Sequence, residues 1–258
     1  TVDEEHLDYY SGLEEIQDTC LVNANSVPFY GCAIVCLDQH NIQSILGDIE
    51  RRVITYGMMS QADVQAHDVE ATAEKTTFGV TAAGRECGRI EITMPGLHNV
   101  YNSLAAVAVG LELGVSFSEI ASALGEFEGI ARRFEIKGEA SDVLVLDDYG
   151  HHPTEIRATL SAAASRWNRR IVVLFQPHRY TRTQKLVEDF GRSFYDATSL
   201  YVTRIYAAGE APIEGVSGEN IVEAARRYGH HAAVYVEDAE ELTRRVLADI
   251  RPGDVVMT

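Results

Sequence analysis

Val143-Leu144-Val145-Leu146, followed by Asp147-Asp148-Tyr149-Gly150-His151-His152-Pro153-Thr154-Glu155, decides the fold. Four apolar residues in succession, without alternation, are what a strand buried on both faces requires. The polar loop after them leads into a helical pattern over residues 154–167. The same unit then repeats. Strand patterns at 171–175, 200–202, 233–236 and 254–257 are separated by helical patterns at 184–195, 218–228 and 239–250. Strand-helix alternation of this kind predicts a doubly wound, Rossmann-like parallel sheet, because parallel neighbours need crossover connections and helices supply them.

Upstream the rhythm differs. Residues 11–27 suit a helix, with Ser11 as N-cap and Glu14 three residues on in capping-box spacing. Residues 32–37, 41–46 and 52–56 read strand, helix, strand, which is again α/β character. Short alternating segments at 62–66, 77–81 and 89–93, with Gly84 and Gly88 as turn residues, predict an antiparallel hairpin region. A long helix over 98–113 is introduced by Pro95-Gly96 and closed by Gly114, and a second covers 118–127. Leu104, Val107, Ala108 and Leu111 read as core. Gly129-Ile130-Ala131-Arg132-Arg133 reads as a junction, so the expected domains are 1–131 and 132–258.

A net charge of -17 argues against nucleic acid or an anionic membrane as a partner, since both would be repelled at long range. An anionic substrate must meet local positive clusters, and two stand out: Arg132-Arg133 and His178-Arg179-Tyr180-Thr181-Arg182. Cys20, Cys32, Cys36 and Cys87 have neither zinc-site spacing nor the density of a disulfide scaffold, and are expected to be reduced, mostly buried thiols. With no apolar run of the ~20 residues a membrane span needs, and no signal peptide, a cytoplasmic protein is expected. Both ends read as cut, with no initiator Met and with a strand as the last element.

In an open parallel sheet, ligands bind beyond the carboxyl ends of the strands. The loops at 147–155, 176–183 and 204–210 follow three successive strands, and all are polar and titratable. Arg179 and Arg182 have the paired donors that hold carboxylate or phosphate oxygens. His151 and His178 suit hydrogen bonding or proton transfer near neutral pH. His151-His152 has two readings, a metal site or loop neighbours that do not converge. Asn99 and Asn102, one helical turn apart, either pair with a purine edge or cap the helix. The run Asp3-Glu4-Glu5-His6-Leu7-Asp8 is either part of a Mg2+ site or a solvated acidic stretch. No Gly-x-x-x-x-Gly-Lys-Ser/Thr phosphate loop occurs, and Lys75-Thr76-Thr77 lacks the glycines that would bring backbone amides to a phosphate.

Taken together these segments resemble the Mur ligase family. The carriers are Asp3 to Tyr10, Val27-Pro28-Phe29-Tyr30-Gly31, Pro95 to Asn102, Arg132-Arg133-Phe134-Glu135, Asp147 to Glu155 and Gln176 to Thr183. The last two are the most specific, and Thr1 stands where the family usually has Asn. The resemblance implies an ATP- and Mg2+-dependent ligase of peptidoglycan precursor synthesis. Such an enzyme joins L-alanine to the lactyl carboxylate of UDP-N-acetylmuramate through an acyl phosphate. It implies that residues 1–131 are the C-terminal part of the central ATPase domain, and that 132–258 are the amino-acid-presenting domain without its last segment. The UDP-sugar domain and phosphate loop would lie outside the chain, leaving it inactive alone.

By the same resemblance His6 is implied as a Mg2+ ligand, and His98, Asn99, Asn102, Arg133 and Asp148 as adenine and ribose contacts. Tyr149, His151, His178, Arg179 and Arg182 are implied to orient the amino acid and the reacting carboxylate. A ligase that attaches a murein tripeptide to the same sugar nucleotide, and a non-catalytic ligand-binding module, are the alternatives.

Overall fold

Alternation along two neighbouring strands turns Phe78, Val80, Ile90 and Ile92 to one face, where they are fully buried. They are the centre of the first of two units into which the computed structural model divides, residues 1–128 and 129–258. The structure describes residues 2–3, 9–72 and 74–258.

The first unit runs α1 (Leu13–Asn25), β1 (Ala33–Cys36), α2 (His40–Leu46), β2 (Val53–Gly57), β3 (Val64–Ala71), β4 (Thr76–Ala82), β5 (Arg85–Ile92), α3 (Leu97–Glu112) and α4 (Phe117–Glu126). Its sheet has the order β1-β2-β3-β4-β5, parallel from β1 to β3 and antiparallel from β3 to β5. Helix α3 buries Val100, Leu104, Val107 and Ala108 against the sheet, the i, i+4, i+7, i+8 spacing of one helical face. Each such aliphatic side chain contributes roughly 1.5–3 kcal/mol when fully buried, with Ala108 below that range. Gly114, at φ 79°, ends the helix as expected, its amide donating to Leu111 O.

Two expectations about this unit are corrected. Gly84 does lie in the β4–β5 turn, following Ala83 at positive φ. Gly88, however, sits inside β5 at a bulge, where the register slips between Val80 and Thr81. The N-cap of α1 is Gly12 rather than Ser11, and Ser11 bonds through its amide and hydroxyl to Glu15 rather than forming a capping box with Glu14.

The second unit runs β6 (Glu135–Ala140), β7 (Val143–Asp147), α5 (Pro153–Arg166), β8 (Ile171–Phe175), α6 (Tyr180–Lys185), α7 (Val187–Gly191), β9 (Ser199–Val202), α8 (Gly218–Arg227), β10 (Ala233–Tyr235), α9 (Ala239–Asp249) and β11 (Val255–Met257). The sheet order is β10-β9-β8-β11-β7-β6, parallel from β10 to β7. The last strand is thus inserted between β7 and β8, pairing Val255 with both Leu144 and Ile171. The sheet gains an antiparallel edge, β6, which the sequence pattern did not disclose. The helix expected over 184–195 starts earlier, at Tyr180, and breaks at Leu186 (φ -110°, ψ 18°) into α6 and α7.

All four cysteines are free thiols, but only Cys36 is buried; Cys20, Cys32 and Cys87 are half-buried. Among the described residues no helix is long and apolar enough to cross a membrane.

Candidate active site

The C-terminal ends of β7 and β8 deliver most of the expected residues to one edge of the second sheet. Asp148 organises the first loop. Its Oδ2 accepts the Phe134 amide at 2.8 Å, and its Oδ1 accepts the Gly150 amide at 2.8 Å and the Thr159 hydroxyl at 3.3 Å. Both oxygens therefore serve the loop itself. A Cβ on Gly150 would meet Asp148 Oδ1 at 2.7 Å, so a larger residue there would press on that carboxylate.

The start of α5 is closed by a capping box, in which the His152 ring accepts the Thr154 amide and the Glu155 side chain accepts the His152 amide. Glu155 Oε2 also accepts the His151 amide at 3.0 Å, and Oε1 pairs with Arg133 at 3.3 Å. Burial pushes this carboxyl up, but the amides and cations around it outweigh that and hold it below its ordinary value. The two adjacent histidines diverge: His152 is 4% exposed, while His151 faces the loop edge. No group of three or more His, Cys, Asp or Glu able to hold a metal occurs among the described residues. His6 lies outside those residues.

Four rings line the edge. Tyr149 meets His151 edge-on at 5.1 Å, His151 lies 5.6 Å from His178, and His178 stacks on Tyr206 at 5.5 Å. The guanidinium of Arg132 sits 4.9 Å over the Tyr149 ring and that of Arg133 at 5.6 Å, cation–π geometry in both cases.

The two central rings have opposite tautomers. His151 Nδ1 lies 2.9 Å from Tyr149 O, and a carbonyl only accepts, so Nδ1 carries the proton. His178 Nδ1 lies 3.3 Å from Arg182 Nη1, and a guanidinium only donates, so this Nδ1 is bare and the neutral ring carries its proton on Nε2. Burial first, then the charges of Arg182, His151 and Arg179, push His178 below the ordinary histidine value despite Glu210 nearby.

Arg179 adopts φ 72°, a conformation costing a non-glycine residue about 1–3 kcal/mol. It is held there by the loop after β9. The Arg179 amide donates to Tyr206 O and the Tyr206 amide to Pro177 O, each at 2.8 Å, around a parallel bridge between His178 and Tyr206. Glu210 accepts Thr181 through amide and hydroxyl and lies 3.9 Å from Arg179 Nη1. Arg182, one helical turn beyond His178, completes the positive wall.

In the first unit His98, Asn99 and Asn102 open α3. Asn99 is buried, donating to Pro95 O at 2.7 Å and accepting from Asn102 Nδ2 at 3.3 Å, so its amide stabilises the helix entry. Asn102 is exposed and His98 half-buried. Sequence reasoning gave no role to Glu155, Tyr206 or Glu210. The spacing His152-x-x-Glu155 carried a signal for the first, and nothing local pointed to the other two.

Comparison with known proteins follows the same division. Residues 1–110 match the Mur ligase middle domain and 132–258 the family described as Mur ligase, glutamate ligase domain. The chain is 48% identical over 257 residues to the UDP-N-acetylmuramate–L-alanine ligase of Geotalea uraniireducens, covering 100% of itself and 56% of that protein. It is 50% identical over 258 residues to the enzyme of that name from Salinibacter ruber, covering 100% of itself and 54% of that protein. The chain thus spans about half the length of these relatives. Among solved structures it is similar to the UDP-N-acetylmuramate-alanine ligase of Thermotoga maritima, with a TM-score of 0.74, 26% identity, and coverage of 98% of this chain and 53% of that one. A murein peptide ligase from Psychrobacter arcticus shares the fold, with a TM-score of 0.70, 24% identity, and coverage of 94% and 50%.

Proposed function

We propose, from the premise that this chain belongs to the Mur ligase family and carries its middle and C-terminal domains, that it takes part in joining L-alanine to the lactyl carboxylate of UDP-N-acetylmuramate in the cytoplasm. Relatives near half identity across all of its residues bear that activity in their names. The observation that carries the reading is the convergence of His151, His178, Arg179 and Arg182 on one sheet edge.

Phosphoryl transfer from ATP is the chemistry that the nucleotide supplies when bound, activating the carboxylate as an acyl phosphate. Of the residues proposed for ATP, His98 and Asn102 offer polar groups suited to a purine at the start of α3, whereas Asn99 and Asp148 act by shaping their loops. Arg133 is proposed to face the ribose, and His6 to hold Mg2+. Residues 1–131 would then be the late part of the ATP-binding domain and 132–258 the amino-acid-presenting domain.

Arg179 and Arg182 hold the carboxylate of the amino acid or the oxygens of the acyl phosphate, as paired guanidinium donors do well. Tyr149 lies between Arg132 and His151 on that edge. Fixing both reactants removes much of the entropic cost of amide formation. The test is phosphate release with the full-length protein, which should require UDP-N-acetylmuramate and L-alanine together. The 258-residue chain by itself, which has no Gly-Lys-Thr phosphate loop, should show no turnover. Release by this chain alone, or release indifferent to alanine, would contradict the proposal.

A further inference from the structure

Alternation along β3, β4 and β5 turns His67, Gly79 and Arg89 to the face opposite Phe78, Val80 and Ile90. The three stand in one row, His67 opposite Gly79 and Gly79 opposite Arg89. Gly79 leaves the middle of that row without a side chain, and the His67 ring lies over it, so that a Cβ there would meet ring Nδ1 and Nε2 at 2.8 Å each. From this position Nε2 reaches past β4 to Glu86 Oε2 of β5 at 3.0 Å, while Nδ1 lies 2.9 Å from Asp68 Oδ2. Asp68 itself stands at φ 47°, where the β3–β4 register slips between His67 and Glu70.

Both ring nitrogens thus face carboxylate oxygens, which when ionised only accept. A neutral imidazole has one N–H and satisfies one of them, whereas the imidazolium satisfies both. We infer that His67 is a pH-sensitive strap, which as an imidazolium ties the irregular stretch of β3 to β5 across the bare position in β4, and on losing a proton to water releases Glu86. Asp68 adjoins His67 in the chain and stays beside Nδ1, while Glu86 has the Thr81 hydroxyl, at 3.2 Å, to turn to. The strap belongs to the first unit alone and uses none of the residues proposed for ATP or alanine.

The groups around the ring are Asp68 on β3, the Thr81 hydroxyl on β4, and Glu86 and Arg89 on β5. Arg89 is turned to Asp68 O at 3.3 Å and to the Thr77 hydroxyl at 3.4 Å, so it leaves both carboxylates to the ring. The bond to Asp68 and then that to Glu86 outweigh the burial penalty and raise His67 above the ordinary histidine value of 6.5. A raised folded value means a contribution fully present below pH 6.5 and lost as pH rises through the folded value, the reverse of His178. The Asp68 and Glu86 side chains are 74% and 58% exposed, so the tie is weak and screened by salt, as a reversible device requires.

Proton–nitrogen NMR of the 258-residue chain, titrated with pH, reads the ring and the backbone together. The His67 ring should titrate with its midpoint above 6.5. Gly79→Ala leaves both carboxylates in place and displaces only the ring, and it should lower that midpoint. Glu86→Gln, made on the exposed face, should lower it too and reads the same contact from its other end should Gly79→Ala disturb β4. Amide exchange at residues 66–69 and 85–87, corrected for the intrinsic effect of pH, should quicken about 1.5–5-fold across the midpoint, the range expected of one exposed ion pair. In His67→Gln the corrected exchange should no longer depend on pH. A midpoint at or below 6.5, or one that Glu86→Gln leaves unmoved, would overturn the double bond to carboxylates. Corrected exchange equal on both sides of the midpoint would show that the ring titrates without holding β3 to β5, and would overturn the strap.

Discussion

Glu210 accepts both the amide of Thr181, at 3.1 Å, and its hydroxyl, at 2.6 Å, so the loop after β9 clamps the loop after β8 across 29 residues of sequence. Thr181 follows Arg179 by two positions, and the clamp fixes the segment in which Arg179 is strained. Burial raises the Glu210 carboxyl, but the bonds from Thr181 and the Arg179 charge outweigh it and lower its pKa in the folded state. A lowered folded pKa means stability present above the unfolded value, about 4.5, and lost as pH falls through the folded one. Glu210→Gln should cost about 1–3 kcal/mol at pH 7 and remove that part of the acid sensitivity, measured by urea unfolding at a series of pH values. Unchanged stability at pH 7 would show that the clamp contributes nothing.

Asp148 ties Phe134, Gly150 and Thr159 together, and Phe134 stacks on Trp167 at 5.6 Å with planes 7° apart. Trp167 is the single tryptophan, so its fluorescence reports this loop. Asp148→Asn leaves one oxygen for three donors. It should destabilise the second unit by about 1–3 kcal/mol and shift the emission of Trp167, with both changes absent from Asn102→Ala.

In the first unit Asp38 accepts the Met58 amide at 2.7 Å, the Met59 amide at 3.2 Å and the Tyr101 hydroxyl at 2.9 Å, joining the edge of β1 and β2 to α3. Burial and the neighbouring Asp38 push the Tyr101 phenol up. A Cβ on Gly57 would meet Asp38 Oδ1 at 2.2 Å. Gly57→Ala should therefore destabilise the first unit by about 1–3 kcal/mol, and Tyr101→Phe, which only removes one bond, by about 1–2 kcal/mol, read from thermal or denaturant midpoints. If Gly57→Ala proved the milder of the two, Asp38 would be shown to move aside freely.

His178 is pushed below the ordinary histidine value by burial and by Arg182, His151 and Arg179. Between the folded pKa and the unfolded value of 6.5 the unfolded chain binds more protons, so stability rises with pH through that window and is constant above it. His178→Gln should flatten the slope below pH 6.5. An unaltered slope would place the titration on another group.

How much of this was readable in the sequence depended on where each element spends its apolar residues. Val143 to Leu146 and Ile171 to Phe175 belong to interior strands, flanked on both sides, and announce themselves as unbroken apolar runs. Strand β6, Glu135-Ile136-Lys137-Gly138-Glu139-Ala140, lies at the sheet edge with almost every residue exposed, so it has no apolar face to detect; its charges are what an edge strand uses to avoid pairing with another molecule. Its hairpin to β7 turns through Ser141 and Asp142, both at positive φ without a glycine to mark the turn. The loops that carry His151, His178, Arg179 and Arg182 stood out by composition and by their place after strands. The clamp from Glu210 and the stacking of Tyr206 on His178 are tertiary contacts between loops, and no local pattern encodes them.

Which amino donor the sheet edge presents is tested most directly by competition, supplying the full-length protein with ATP, UDP-N-acetylmuramate, radiolabelled L-alanine and unlabelled murein tripeptide. Label should enter the sugar nucleotide with one ADP formed per alanine joined, and Arg182→Ala should abolish the incorporation. Preferential joining of the tripeptide, or ADP formation with no label transferred, would contradict an alanine ligase built around His151, His178, Arg179 and Arg182.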